Sequence, residues 1–493
     1  MVESSVQSDA DDNNQQVPSV DIISGTVEAE PHTNGSEDHE EEISGCGAQY
    51  CCNPNWGPFR FIALFFMCFL GFGSYFCFDT PGSLQDYIKD EMKVDTVAFA
   101  SLYSLYSWPN VVLCFIGGFL IDRVFGIRWG TIIFSSIVTG GQFVYALGAL
   151  VNQFWLMQVG RFIFGIGGES LAVAQNTYTV SWFKGKELNT VFGLQLSMAR
   201  VGSTVNFLSM VPLYEWVQTF SEGYQALGYS LLFAGITCVF SLGCALILGV
   251  LDNKRSKVLH LDAAQSGEKI KLSDILTFPA SFWLISIICV AYYVAIFPFI
   301  GLAKVFFMRK YDLDATTANS VSSVVYLISA IASPILGNLV DRTGRNVTWV
   351  FMAVLITLGC HAMLTFTFWS PFISMSILGL AYSLLASALW PMVALIIPEH
   401  QLGTAYGIMQ SVQNLGLAVI SIVAGLIVDT SGYMMLEMFY MIWLCIALVA
   451  TIAIALVDSG GDGYLLMSAA TRKRDFPHPP ADAKLNEAFD DKL

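Results

Sequence analysis

The chain has 493 residues, of which 55% are hydrophobic and only 13% charged, with a mean hydropathy of +0.59. Soluble proteins carry about 25% charge, so this composition excludes a soluble enzyme, a disordered chain and a nucleic-acid binder, and points to a polytopic membrane protein. The net charge of −15 belongs mainly to one end. Residues 1–60 hold twelve acidic side chains and one basic (−11), residues 458–493 seven and five (−2), and the remaining 397 residues twenty and eighteen (−2).

Residues 1–57 are rich in Ser, Asp, Glu, Asn and Gly, with an acidic run from Glu37 to Glu42. They bury too little apolar surface to fold, so a disordered cytosolic tail is expected. The segment lacks the basic start and early apolar core of a signal peptide. Apolar stretches long enough to cross about 30 Å of hydrocarbon follow. Six spans are expected near 61–78, 97–121, 128–150, 154–183, 191–213 and 228–251, and six more near 281–307, 316–340, 347–368, 371–397, 404–428 and 433–457. The expected fold is an all-α polytopic membrane protein with twelve transmembrane helices in two six-helix, pseudo-symmetric bundles. The bundles cover residues 58–251 and 281–457, with a cytosolic loop at 252–280 and a cytosolic tail at 458–493.

Basic residues set the orientation. Arg123, Arg128, Lys184, Lys186, Lys254, Arg255, Lys257, Lys269, Lys271, Arg342 and Arg345 fall in alternate loops, and Arg472, Lys473 and Arg474 fall on the same side. Lys89, Lys93, Arg309 and Lys310 on the opposite side are offset by acidic neighbours. Both termini are therefore expected in the cytosol, and the sequons at Asn34 and Asn346 are expected to stay unused. Eight of the eleven cysteines lie in spans and read as small buried hydrophobes. Cys46, Cys51 and Cys52 precede the first span, where palmitoylation and plain reduced thiols are both open readings.

The two halves repeat each other. Gly118-Phe-Leu-Ile-Asp122-Arg123-Val-Phe-Gly126-Ile-Arg128 follows the second span, and Gly337-Asn-Leu-Val-Asp341-Arg342-Thr-Gly344-Arg345 follows the eighth. Leu188-Asn-Thr190-Val-Phe192-Gly193 matches Leu402-Gly-Thr404-Ala-Tyr406-Gly407. Two matching halves of the same orientation imply parallel repeats with a substrate path between them.

These motifs resemble those of the major facilitator superfamily. Its G-x-L-x-D-R-x-G-R loop is met in full from Gly337 to Arg345, and the first copy departs by one inserted residue and by Ile127. Arg161-x-x-x-Gly165-x-Gly167-Gly168 resembles a second signature of the same superfamily. The resemblance implies that the loop Asp meets a helix N-terminus, favourable at the positive end of a helix dipole. It makes Gly118, Asp122, Arg123, Arg128, Arg161, Gly337, Asp341, Arg342, Gly344 and Arg345 gate or fold elements, with Arg161 read as structural.

Several stretches are similar to a lysosomal dipeptide-uniporter branch of that superfamily: Met67-Cys-Phe-Leu-Gly-Phe-Gly-Ser-Tyr75, Ser107-Trp-Pro-Asn110, Phe164-Gly-Ile-Gly-Gly-Glu169 through Asn176, and Ala388-Leu-Trp390-Pro. The resemblance implies a lysosomal multi-pass membrane protein that exports dipeptides by alternating access. It also implies a single-span accessory partner, the glycosylated lysosomal membrane protein. Tyr464-Leu-Leu-Met467 fits a tyrosine-based sorting motif, whereas Ile22-Ile23 has Pro18 where a dileucine signal needs an acid.

Polar groups at the bilayer midplane are costly and often functional. Glu169 lies about fifteen residues into the fourth span and Arg200 about ten into the fifth, so both arrive near the centre at about 1.5 Å per residue. One acid and one base suit a zwitterion, with Glu169 on the ammonium and Arg200 on the carboxylate. The bland alternative is a mutual salt bridge. Neutral partners from the second half would be Tyr292, Tyr293, Tyr326, Trp390, Gln410, Gln413 and Asn414, with Asn176 extending the polar face of span four; Gln175 is expected off that face. His361 reads as a packing residue. Proton-coupled symport of another solute through Glu169 and a non-transporting scaffold or nutrient receptor are the competing readings. No nucleophile–base pair, phosphate loop or metal-ligand cluster appears, so neither catalysis nor a cofactor is expected.

Overall fold

The computed structural model describes residues 59–475 apart from 95, 185–186, 259–271 and 462. The expected tail at 1–57, with Asn34, Cys46, Cys51 and Cys52, lies outside the described residues, as do most of the central loop and the chain end beyond 475.

The first expected span comprises α1 (Phe59–Leu70) and α2 (Phe72–Ser83), and a short helix not foreseen from hydropathy, α3 (Gln85–Met92), follows it. The second span is broken at Trp108-Pro109 into α4 (Thr96–Ser107) and α5 (Asn110–Leu120), because proline disrupts the helical ladder. Then come α6 (Gly126–Leu150), α7 (Phe154–Phe183), α8 (Leu188–Val217) and α9 (Gly223–Val258). The second half contains α10 (Ala280–Tyr311), α11 (Ala315–Thr343), α12 (Asn346–Phe366), α13 (Pro371–Ile396) and α14 (Leu402–Gly460). The last two expected spans are the two limbs of α14, divided at Gly432, whose φ of 80° suits a residue without Cβ. A short α15 (Ala469–Asp475) closes the described chain.

Among the described residues, nine stretches are long and apolar enough to cross a membrane by composition. One of them, Ser101–Leu150, contains two expected spans, and α7 and α8 are not among the nine. Their polar side chains lower their hydropathy: Arg161, Glu169, Gln175 and Asn176 on α7, and Gln195, Arg200 and Asn206 on α8. A span that lines a protein interior need not look like lipid.

Packing follows the repeat. In the first half α6 packs on α7 and α9, and α2 on α8; in the second α10 packs on α14, and α11 and α12 on α13. The halves meet where α8 crosses α11 and where α5 crosses α14. Both crossings require glycine. A Cβ on Gly118 would overlap the carbonyl of Gly403, one on Gly337 the carbonyl of Asn189, and one on Gly193 the carbonyl of Ser333.

The two Asp–Arg loops sit at this end of the molecule. Asp122 accepts hydrogen bonds from the N–H groups of Gly403 (3.0 Å) and Thr404 (2.6 Å) and from Thr404 Oγ1 (2.8 Å), at the N-terminus of α14. Asp341 does the same at the N-terminus of α8, accepting from Asn189 N (3.0 Å), Asn189 Nδ2 (2.7 Å), Thr190 N (2.6 Å) and Thr190 Oγ1 (2.5 Å). Each carboxylate therefore satisfies free helix N–H groups of the opposite half and faces the positive end of its dipole.

The one-residue insertion in the first loop has a structural counterpart. Ile121–Phe125 forms a π-helical turn, which takes one more residue than an α-turn. Gly126 then adopts φ 69°, the value found at Gly344 in the second loop.

The tail beyond the last span is partly folded. Asp458 accepts from the N–H groups of Leu465 (3.1 Å) and Leu466 (2.9 Å), Arg345 N donates to Met467 O (2.9 Å), and Gly344 pairs with Ser468. Tyr464, the residue of the expected sorting motif, is buried here with the Arg472 guanidinium 4.8 Å from its ring. The motif is thus packed against the Gly344–Arg345 loop instead of being presented as an exposed peptide. Asn346, the second sequon, is fully buried, and its amide donates to Asn189 Oδ1 (2.9 Å) and Ala388 O (3.2 Å).

Candidate functional site

A cavity of about 890 Å³ lies between the two halves, lined by residues of α2, α4, α7 and α8 from one half and of α10, α11, α13 and α14 from the other. The glycine crossings and the two Asp caps seal the loop end. At the opposite end the lining reaches Asp79, Gly301 and Leu302, and Gly301 is exposed.

Glu169 and Arg200 both line this cavity, and among the described residues no ion pair joins them. The salt-bridge alternative is thereby absent. Each group is held by the opposite half. Glu169 Oε1 accepts from Tyr106 Oη (2.9 Å) in its own half, and Oε2 accepts from Gln410 Nε2 (2.7 Å) across the cavity. The Arg200 guanidinium stands 4.8 Å from the Tyr382 ring and 5.4 Å from the Tyr326 ring. The residue is 8% exposed and its Nε has no hydrogen-bond partner. A buried cation resting on aromatic faces, with a donor unused, is ready for an anion.

Of the neutral residues expected from the second half, Tyr293, Tyr326, Trp390, Gln410, Gln413 and Asn414 line the cavity. Trp390 Nε1 donates to Tyr293 Oη (2.9 Å), and Tyr293 stacks on Phe297 with ring centroids 5.4 Å apart, forming a rigid aromatic wall. Tyr292 does not belong to the lining. It is fully buried and its hydroxyl bonds Thr357 Oγ1 (3.0 Å) on α12, because adjacent helical residues point about 100° apart. Asn176 lines the cavity as expected, but so does Gln175, whose amide donates to Met67 O (3.0 Å) beside Gly71.

Arg161 is not at the gate. It is fully buried inside the first half, where Nη1 donates to Cys77 O and Nη2 to Phe78 O, both at 3.1 Å. The cause lies in α2: Pro81 has no N–H, so Cys77 O lacks its i+4 donor, and Arg161 supplies one. His361 is buried, as expected of a packing residue, but its Nδ1 lies 2.7 Å from Glu437 Oε2, a partner not foreseen.

Among the lining residues that escaped the sequence reading, beside Tyr103, Tyr106, Gln195, Ser203 and Tyr382, are Tyr75 and Asp79. Both sit on α2, one turn apart and hence on one face. The i, i+4 pairing beside a proline was the available signal, and it was lost by ending the first span at residue 78.

The comparisons with known proteins fit this architecture. The model of the Major Facilitator Superfamily matches residues 67–306 and 285–473. The lysosomal dipeptide transporter MFSD1 of Danio rerio is 59% identical over 440 residues, covering 89% of this chain and 95% of the relative. Its Homo sapiens counterpart is 58% identical over 424 residues, covering 86% and 91%. Among solved structures, the transporter FucP in the outward conformation is similar with a TM-score of 0.64 at 12% identity, covering 80% of this chain and 99% of FucP. A bacterial homologue of the iron transporter ferroportin in an outward-facing state gives 0.61 at 13%, covering 80% and 99%.

Proposed function

The chain belongs to the major facilitator superfamily, and from that premise we propose that it is a lysosomal membrane carrier exporting dipeptides from lumen to cytosol by alternating access. The observation that carries the reading is the arrangement of Glu169 and Arg200. They are one acid and one base in one cavity, unpaired with each other, each engaged by the opposite half. The relatives named as dipeptide transporters support the same substrate class.

In this reading the substrate ammonium binds Glu169, taking the place of Gln410 Nε2, and the substrate carboxylate takes the free donors of Arg200. The dipeptide thus takes over contacts that otherwise run between the halves. The aromatic wall of Tyr293 and Trp390 accepts varied side chains, since ring faces demand no specific hydrogen bond. The two Asp caps form the cytosolic latch, so the described conformation is open to the lumen. Both termini lie in the cytosol, the bundles span 58–251 and 281–457, and the accessory partner is a single-span glycosylated lysosomal membrane protein.

Transport of a labelled dipeptide into proteoliposomes tests the reading. Glu169→Gln and Arg200→Ala are each expected to reduce uptake by at least about tenfold, the scale of a lost charge-assisted contact. Equal uptake by all three proteins would overturn the site assignment. Uniport further predicts no accumulation driven by a pH gradient in the wild type. If such accumulation occurs and Glu169→Gln abolishes it while exchange persists, proton-coupled symport replaces uniport.

A further inference from the structure

The cavity holds a second carboxylate, Asp79, which the recognition of a dipeptide backbone leaves unused. It lies on α2 four residues before the helix ends at Ser83, nearer the open end than Glu169. Ser203, one turn beyond Arg200 on α8, lines the same cavity. Among the described residues no cation forms an ion pair with it.

Arg161 and Arg200 are both otherwise engaged. Arg161 spends Nη1 and Nη2 on the carbonyls of Cys77 and Phe78 and is boxed by the rings of Phe78, Tyr103, Tyr106, Tyr145 and Phe164 at 5.2–5.8 Å. Arg200 faces Tyr382 and Tyr326. Asp79 is therefore a partly buried carboxylate that lines the cavity and has no ion partner among the described residues. A charge so placed is stabilised by a cation that enters the cavity. Tyr75, Glu169, Arg200 and Asp79 all line this one cavity, so the three charges border one volume.

Resting on the dipeptide reading above, we propose that Asp79 is the side-chain subsite of the carrier and takes the ammonium or guanidinium of a cationic substrate residue. Glu169 and Arg200 hold the two ends of the peptide, and Asp79 reads the charge of what projects toward the open end. Dipeptides with a cationic side chain gain a third charge contact, and those with an acidic side chain meet repulsion.

The test uses the full-length protein in proteoliposomes, with competition by Ala-Ala, Lys-Ala and Glu-Ala against labelled Ala-Ala. Asp79→Asn is expected to lower the affinity ratio of Lys-Ala to Ala-Ala about tenfold and to raise that of Glu-Ala. Asp79→Glu, which keeps the charge, is expected to retain the wild-type order, and a melting curve of each variant separates selectivity from misfolding. The proposal is overturned if Asp79→Asn weakens all three competitors equally, or if it leaves both ratios unchanged while altering pH-driven accumulation, which would make Asp79 a proton site. Failure of the wild type to take up or bind any dipeptide would overturn the dipeptide reading and this proposal with it. Uptake by the wild type with ratios unchanged in Asp79→Asn would overturn the proposal alone.

Discussion

Gln410 Nε2 donates to Glu169 Oε2 at 2.7 Å, joining α14 of one half to α7 of the other inside the cavity. A hydrogen bond to a charged group contributes about 1.5–3 kcal/mol. Gln410→Leu is expected to lower the melting temperature of the detergent-purified protein by several degrees, and saturating dipeptide to narrow the gap, because the substrate amine displaces that bond in the wild type. An unchanged melting temperature would show that the bond contributes nothing.

The loop-end seal depends on Gly118. A Cβ there would overlap the Gly403 carbonyl and come 3.2 Å from Gly407 Cα, both on rigid helix backbone. Gly118→Val is therefore expected to push α5 and α14 apart and disfavour the sealed state. Cys114 is fully buried at the same crossing. Its alkylation by a membrane-permeant maleimide, followed by peptide mass spectrometry, is expected to rise by at least about tenfold as the open population grows. Unaltered labelling in a folded variant would refute this account of the seal.

Arg161 and Pro81 form a compensating pair. Removing the guanidinium leaves Cys77 O without a donor in an apolar interior, a loss of about 1–3 kcal/mol for that carbonyl alone. Arg161→Met is expected to be strongly destabilised in thermal unfolding. Adding Pro81→Ala restores the N–H that Cys77 O lacks and is expected to recover part of the loss. A double variant no more stable than Arg161→Met would show that the proline is not the reason for the arginine.

The tail clasp rests on Asp458, which accepts from Leu465 N and Leu466 N. Asp458→Ala removes both acceptors and is expected to release residues 463–475, accelerating tryptic cleavage at Arg472, Lys473 and Arg474 several-fold. If the tyrosine motif serves sorting, the same variant is expected to bind an adaptor more readily than the wild type, since Tyr464 is buried while the clasp holds. Cleavage at the wild-type rate would indicate that the clasp does not depend on Asp458.

Much of the fold was legible in the sequence. Hydrophobic runs located the spans, because crossing a bilayer demands about twenty apolar residues wherever they point. The internal repeat located Asp122 and Asp341, and counting along the helices brought Glu169 and Arg200 to one depth. The tertiary structure decided what depends on rotation and bending. Tyr292 and Tyr293 are adjacent in sequence, yet one faces α12 and the other the cavity. Asp79 lies beyond the hydropathy edge of its span, and it enters the site because α2 continues to Ser83 while Arg161 satisfies the carbonyl left by Pro81. The inserted residue in the first loop read as a departure from the motif, and a π-turn absorbs it so that Gly126 still reaches φ 69°. Hydropathy is summed along the chain and is blind to azimuth. Which side chains meet is fixed only when the helices have packed, and that step turned two expected charges into a cavity with three.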